Sequence, residues 1–106
     1  MSFKEIDVLE FQKMREEKIP HLLLDVREKE EVDIACIKLH VHIALQDIPS
    51  HYTQLDKTLP IVVMCHRGGR SRVACQFLYE KGLEVINLKG GIDAWSKKID
   101  PSIPLY

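Results

Sequence analysis

Ile61-Val62-Val63-Met64-Cys65-His66-Arg67-Gly68-Gly69-Arg70-Ser71-Arg72 is the stretch whose reading decides the fold. Its first four residues are apolar and largely β-branched. Such a run is the pattern of a parallel strand buried on both faces, because both alternating sets of side chains need apolar neighbours. Cys65 then stands at the strand's carboxyl end. Gly68 and Gly69 allow a tight turn with positive φ, in which successive backbone N–H groups face one concavity and form an anion cradle. Past the turn, Val73, Ala74, Phe77 and Leu78 recur at helical spacing, with Ser71 expected as N-cap and Gly82 as the stop. The cysteine is thereby set against the positive end of a helix dipole.

A free thiol of pKa about 8.5 is roughly 3% ionised at pH 7, and lowering the pKa by about two units makes it mostly thiolate. Helix-terminal N–H groups with Arg67, Arg70 and Arg72 are of the right kind to supply that shift. Cys65 is therefore read as an activated nucleophile within reach of solvent. A cysteine that merely filled core volume would not call for three arginines and two glycines in the seven residues after it. Four residues, His66 to Gly69, separate Cys65 from Arg70, one fewer than cysteine-dependent phosphatases place there. The tighter ring of donors suits a smaller group, such as a single sulfur atom carried on the cysteine.

Two further stretches extend the pattern: Asp25-Val26-Arg27, closing the apolar run Leu22-Leu23-Leu24, and Gly90-Gly91-Ile92-Asp93-Ala94-Trp95. Together with the cysteine loop they resemble the rhodanese family, specifically a single-domain sulfurtransferase, from about Ile6 to Pro104. Alternating strands and helices imply a parallel sheet with ligands at the strands' carboxyl ends. The expected fold is α/β and three-layered, a central mostly parallel sheet of about five strands with helices on both faces, in one domain over 1–106. The resemblance implies a thiosulfate sulfurtransferase that moves a sulfane sulfur through a persulfide on Cys65 to cyanide, a thiol or a protein. Cys65 and Arg70 would be catalytic, with His66, Arg67, Gly68, Gly69, Arg70 and Ser71 around the substrate. Guanidinium forks at Arg67 and Arg70 match the oxyanion end of thiosulfate.

Asp25 and Arg27 support the site under two readings: Asp25 accepts loop N–H groups while Arg27 pairs with Glu28 or Glu31, or both meet substrate. The implied partners are a small-molecule sulfur donor and acceptor and a thioredoxin-like or sulfur-relay protein, the chain being a monomer or weak homodimer. No cofactor or metal is required. Two rival readings are a phosphatase or arsenate-reducing enzyme using the same thiolate, and a non-catalytic module for protein binding or sulfur sensing. One segment departs from the family pattern. Relatives typically carry Gly-His-Ile-Pro-Gly where this chain has Ala35-Cys36-Ile37-Lys38-Leu39.

The remaining chain bounds these readings. A length of 106 residues suits one modest core. Net charge of −1 offers no basic field for nucleic acid or an anionic membrane. Apolar stretches are too short to span a bilayer, and Met1-Ser2-Phe3-Lys4-Glu5 lacks an apolar signal core, so the cytoplasm is the expected location. Three widely spaced cysteines do not make a disulfide framework. Cys36 and Cys75 are expected in the core, the alternative being a resolving thiol for an oxidised or persulfidated Cys65. Asp7 and Glu10 form a capping box ahead of a helix facing Val8, Leu9, Phe11 and Met14 inward. His40 and His42 share a strand face, and Leu45, Ile48, Tyr52 and Leu55 mark a helix beginning near Gln46 with Pro49 in its first turn. Trp95 is expected in the core.

Overall fold

Strand and helix alternate from end to end: β1 Lys4–Ile6, α1 Val8–Glu16, β2 Leu22–Asp25, α2 Lys29–Ile34, β3 His40–His42, α3 Ile48–His51, β4 Ile61–Met64, α4 Gly69–Glu80, β5 Val85–Leu88 and α5 Gly91–Lys98. This computed structural model describes residues 3–106. Met1 and Ser2, part of the expected signal-free start, lie outside the described residues.

The five strands run in the order β1-β5-β4-β2-β3, and every neighbouring pair is parallel. The expected three-layer architecture is present, with a wholly parallel sheet. All four residues of β4 are buried because the strand is central and both its faces are covered. Ile61, Val63 and Cys65 pack with Ile48, Ala74 and Leu78, so α3 and α4 lie on one face. Val62 and Met64 pack with Val8, Phe11, Ile92 and Trp95, so α1 and α5 lie on the other. Asp25 is in register with Met64. The carboxyl ends of β2 and β4 therefore sit side by side, with Asp25 next to the approach to Cys65.

The Asp7–Glu10 capping box forms at 2.9 and 3.1 Å. Leu9, however, is 59% exposed, because it follows Val8 by about 100° around the helix and the inward stripe runs through Val8 and Phe11. The helix expected from Gln46 is broken into a 3-10 turn at Leu45–Asp47, the short α3 and a second 3-10 turn at Tyr52–Gln54. Pro49 lacks an N–H, is tolerated only in a first turn, and so fixes the start of α3 at Ile48.

Between α2 and β3, Ala35 and Ile37 are buried, so the intervening Cys36 is exposed and not in the core as expected. Leu39 takes φ 63, a left-handed conformation in a residue that carries a Cβ, at a strain of about 1 kcal/mol.

Candidate active site

Gly68, with φ 110, is the N-cap of α4, and Gly69 is the first helical residue. Of the two loop glycines only Gly68 needs its positive φ, and a Cβ on Gly69 would meet nothing within 4 Å. The expected cap at Ser71 therefore does not form. Ser71 falls inside the first turn, where its hydroxyl donates to Asn87 Oδ1 at 2.5 Å and lies 3.5 Å from Cys65 Sγ. The Gly68 N–H donates to the same sulfur at 3.1 Å.

A second helix fixes which way the loop peptides point. At the start of α5, the Ile92 N–H donates to the Cys65 carbonyl and the Asp93 N–H to the His66 carbonyl, each at 3.0 Å. Gly91, with φ 59, makes this approach possible: a Cβ there would lie 2.5 Å from His66 O and closer still to Cys65 O. With these carbonyls held by α5, the Gly68 N–H bonds the sulfur, and the N–H groups of Arg67 and Ser71 also favour its ionised form. Burial alone would push the Cys65 thiol up. The Ser71 hydroxyl and those three N–H groups more than offset it, so the thiol is held below its ordinary value. Cys75, on the same helix and buried, is pushed up to about 12 chiefly by burial, and fills core volume as expected.

Asn87 is oriented from behind. Its Nδ2 donates to Glu5 at 2.7 Å and to the Gly68 carbonyl at 3.4 Å, and Arg72 pairs with the same Glu5 oxygen at 2.7 Å.

Asp25 and Arg27 are both fully buried and form a bidentate pair, Nε–Oδ1 at 3.0 Å and Nη2–Oδ2 at 2.7 Å. Asp25 also accepts from the Arg27 backbone N–H at 3.1 Å. Arg27 thus pairs with Asp25 rather than with Glu28 or Glu31. Its remaining donors hold the Ala35 carbonyl at 2.6 Å and the Glu31 carbonyl at 3.3 Å, which ties the end of α2 to the end of β2. Glu31 instead takes Arg70 in a fork, at 2.6 and 2.8 Å. Arg70, with desolvation of the carboxylate working the other way, holds Glu31 down at about 2.

Contrary to the expectation of a thiol within reach of solvent, Cys65 is 1% exposed. Side chains tie the rim of its loop. The His66 ring stacks on Tyr106 with centroids 4.1 Å apart. The Tyr106 hydroxyl donates to Glu31 at 2.9 Å and accepts from Arg27 at 2.8 Å. His66 Nε2 is buried without a hydrogen-bond partner, 4.0 Å from Asp93 Oδ1. Arg67 is exposed. Among the described residues no group of three or more His, Cys, Asp or Glu side chains could hold a metal. His40 and His42 are bonded to the carbonyls of Ile37 and Arg27.

Glu5, Asn87 and Tyr106 were not singled out by the sequence. Asn87 carried a readable signal, a lone amide in the fully buried strand Val85-Ile86-Asn87-Leu88, since a buried amide must find partners. Tyr106 carried none.

The description of the Rhodanese-like domain family matches residues 7–98. The chain belongs to the rhodanese family. The putative sulfurtransferase YtwF of Bacillus subtilis is 38% identical, covering 95% of this chain and 98% of that protein. The adenylyltransferase and sulfurtransferase MOCS3 of Drosophila grimshawi is also 38% identical over 95% of this chain, which spans only 24% of that protein. A rhodanese-related protein from Thermoplasma volcanium superposes with TM-score 0.87 at 25% identity, over 98% of this chain and 100% of its own. This rhodanese domain is thus of sulfurtransferase type. No helix among its described residues is long and apolar enough to cross a membrane.

Proposed function

We propose that the domain transfers a sulfane sulfur through a persulfide on Cys65. The Cys65 thiolate attacks the outer sulfur of a donor such as thiosulfate, a Sγ–S bond forms, the donor's S–S bond breaks, and sulfite leaves with the electron pair. A second nucleophile, such as cyanide, a thiol or a thioredoxin-like protein, then removes the outer sulfur. Negative charge gathers on sulfur in the transition state, where preorganised N–H donors contribute a few kcal/mol each. The observation that carries this reading is the Gly68 N–H donating to Sγ at 3.1 Å, with the Ser71 hydroxyl beside it and the thiol held below its ordinary value. Arg70 and Ser71 would shape the loop, and Asp25 with Arg27 would brace it. The domain would work in the cytoplasm as a monomer or weak dimer.

Intact-mass measurement after incubation with a sulfane donor tests the reading. The wild type should gain one sulfur atom and Cys65→Ser none. One observation favours a second reading, a binding or sensing module without turnover: the 1% exposure of Cys65. That reading predicts no gain on the wild type from any donor.

A further inference from the structure

Ser71 has one hydroxyl hydrogen and two acceptors within its reach. Its Oγ lies 2.5 Å from Asn87 Oδ1 and 3.5 Å from Cys65 Sγ, and all three residues are buried. A hydroxyl donates once, although its oxygen can accept twice. While the cysteine is a thiol every group is served: the S–H donates to Ser71 Oγ, and the Ser71 O–H donates to Asn87 Oδ1. A thiolate has no hydrogen to give. The hydroxyl must then turn to the sulfur and leave a buried amide oxygen without its donor, or stay on the amide and present lone pairs to an anion. Either course is costly. Nor does the amide escape by turning over. Asn87 Nδ2 faces two acceptors, Glu5 Oε2 at 2.7 Å and the Gly68 carbonyl at 3.4 Å, so a flip would set oxygen against oxygen. Glu5 is itself held by Arg72 at 2.7 Å. The backbone is equally fixed, because β5 lies between β4 and β1 with Asn87 in register with Val63 and Glu5.

We infer that Asn87 is a positioning residue that competes with Cys65 Sγ for the Ser71 hydrogen, so that the cysteine ionises only as far as this hydrogen is released to it. The inference rests on the sulfurtransferase reading above for its use and adds a residue to it. No covalent bond changes in the switch, since the Ser71 O–H only rotates about its Cβ–Oγ bond. The hydrogen turns to Sγ as the thiolate forms for attack. It returns to Asn87 once Sγ is bonded to the outer sulfur and no longer carries the charge. When the acceptor takes that outer sulfur, the Sγ–S bond breaks, Sγ keeps the electron pair, and the hydrogen turns to it again. One rotor thus serves the sulfur both as nucleophile and as leaving group, whereas the Gly68 N–H needs no such turn.

The test is a double-mutant cycle on the full chain. Asn87→Leu removes the competing acceptor at similar volume and frees the hydroxyl for the sulfur. The charged groups packed around the loop keep their places in it: Arg70 on Glu31, Arg27 on Asp25, His66 beside Asp93, Arg67 exposed, and Cys75 neutral. Glu5 loses one partner and keeps Arg72. The pH midpoint of Cys65 alkylation, read on its own peptide by mass spectrometry, should fall, with about fivefold more thiolate well below the midpoint, the factor set by one buried acceptor spared. In the Ser71→Ala background the same substitution should produce no fall. A midpoint that rises or stays in folded Asn87→Leu overturns the inference, as does an equal fall in both backgrounds. Should Asn87→Leu not fold, the wild type decides by NMR. The Asn87 side-chain carbonyl resonance should move with the Cys65 midpoint and cease to do so in Ser71→Ala, and a resonance that stays still in the wild type, or moves in both proteins, overturns the inference. Sulfur gain by intact mass is read separately on the wild type. Its absence would remove the sulfurtransferase reading and leave the hydrogen switch standing, and a failed cycle would do the reverse.

Discussion

Two helices of this domain begin in the same way and do different work. Both α4 and α5 start at a glycine N-cap with positive φ, Gly68 at 110 and Gly90 at 83, and both aim free N–H groups at the Cys65 loop. At α4 the recipient is the sulfur; at α5 it is the Cys65 and His66 carbonyls. A helix N-terminus offers unsatisfied donors wherever it points. What it faces decides whether the result is chemistry or scaffold. Here α5 is what leaves the α4 donors to the sulfur, because it holds the Cys65 and His66 carbonyls.

The strongest way to break the pairing is Gly91→Ala. The new Cβ would strike two backbone carbonyls, so the start of α5 must back away, and a loss of at least about 3 kcal/mol is expected in denaturant unfolding. Alkylation of Cys65 in any folded fraction should then follow the pH dependence of an ordinary thiol. Ser71→Ala acts on the α4 side alone. It removes the hydroxyl beside Sγ that does most to lower the thiol, and the midpoint of iodoacetamide reactivity against pH should rise towards that of an ordinary thiol. Unfolding should change much less than in Gly91→Ala.

Acid sharpens the contrast. Glu31, which braces Arg70 in the first turn of α4, is held at about 2 in the fold against an ordinary 4.5. A lowered carboxyl contributes stability that is fully present above about 4.5 and is lost as pH falls towards 2. Because the pair is partly open to solvent, about 1 kcal/mol should disappear across that window, and Glu31→Gln should flatten it. The smallest effect belongs to Gly69→Ala. With open space around it and ordinary helical φ, alanine there should raise stability by about 0.5–1 kcal/mol by restricting the unfolded chain. Loss of stability at this position would show that α4 tolerates no more than α5 does.

The sheet was legible because its strands are short apolar runs set between helical patterns, and β4 needs no context to be read as buried. The Asp7 box and the Gly82 stop were legible for a similar reason: each is written within a few neighbouring residues. The loop's glycines were only half legible. Gly68 and Gly69 look alike in sequence, and only the direction of the entering chain determines that the first bends backwards and the second starts the helix. The displaced cap at Ser71 follows from that difference. Arg27 was assigned a partner further along the chain, Glu28 or Glu31, whereas its fork takes Asp25 two residues back while Arg70, 39 positions from Glu31, claims that carboxylate. Tyr106, stacked on His66, lay beyond any local pattern.

The α5 clamp also imposes an order of events during synthesis. Cys65 leaves the ribosome well before Gly91, Ile92 and Asp93, so a nascent chain carries a sulfhydryl without the two amide contacts that settle its loop. The loop around this sulfhydryl is therefore settled late, once α5 has docked on it. A chain cut short before that point would present a cysteine no more prone to oxidants than any other.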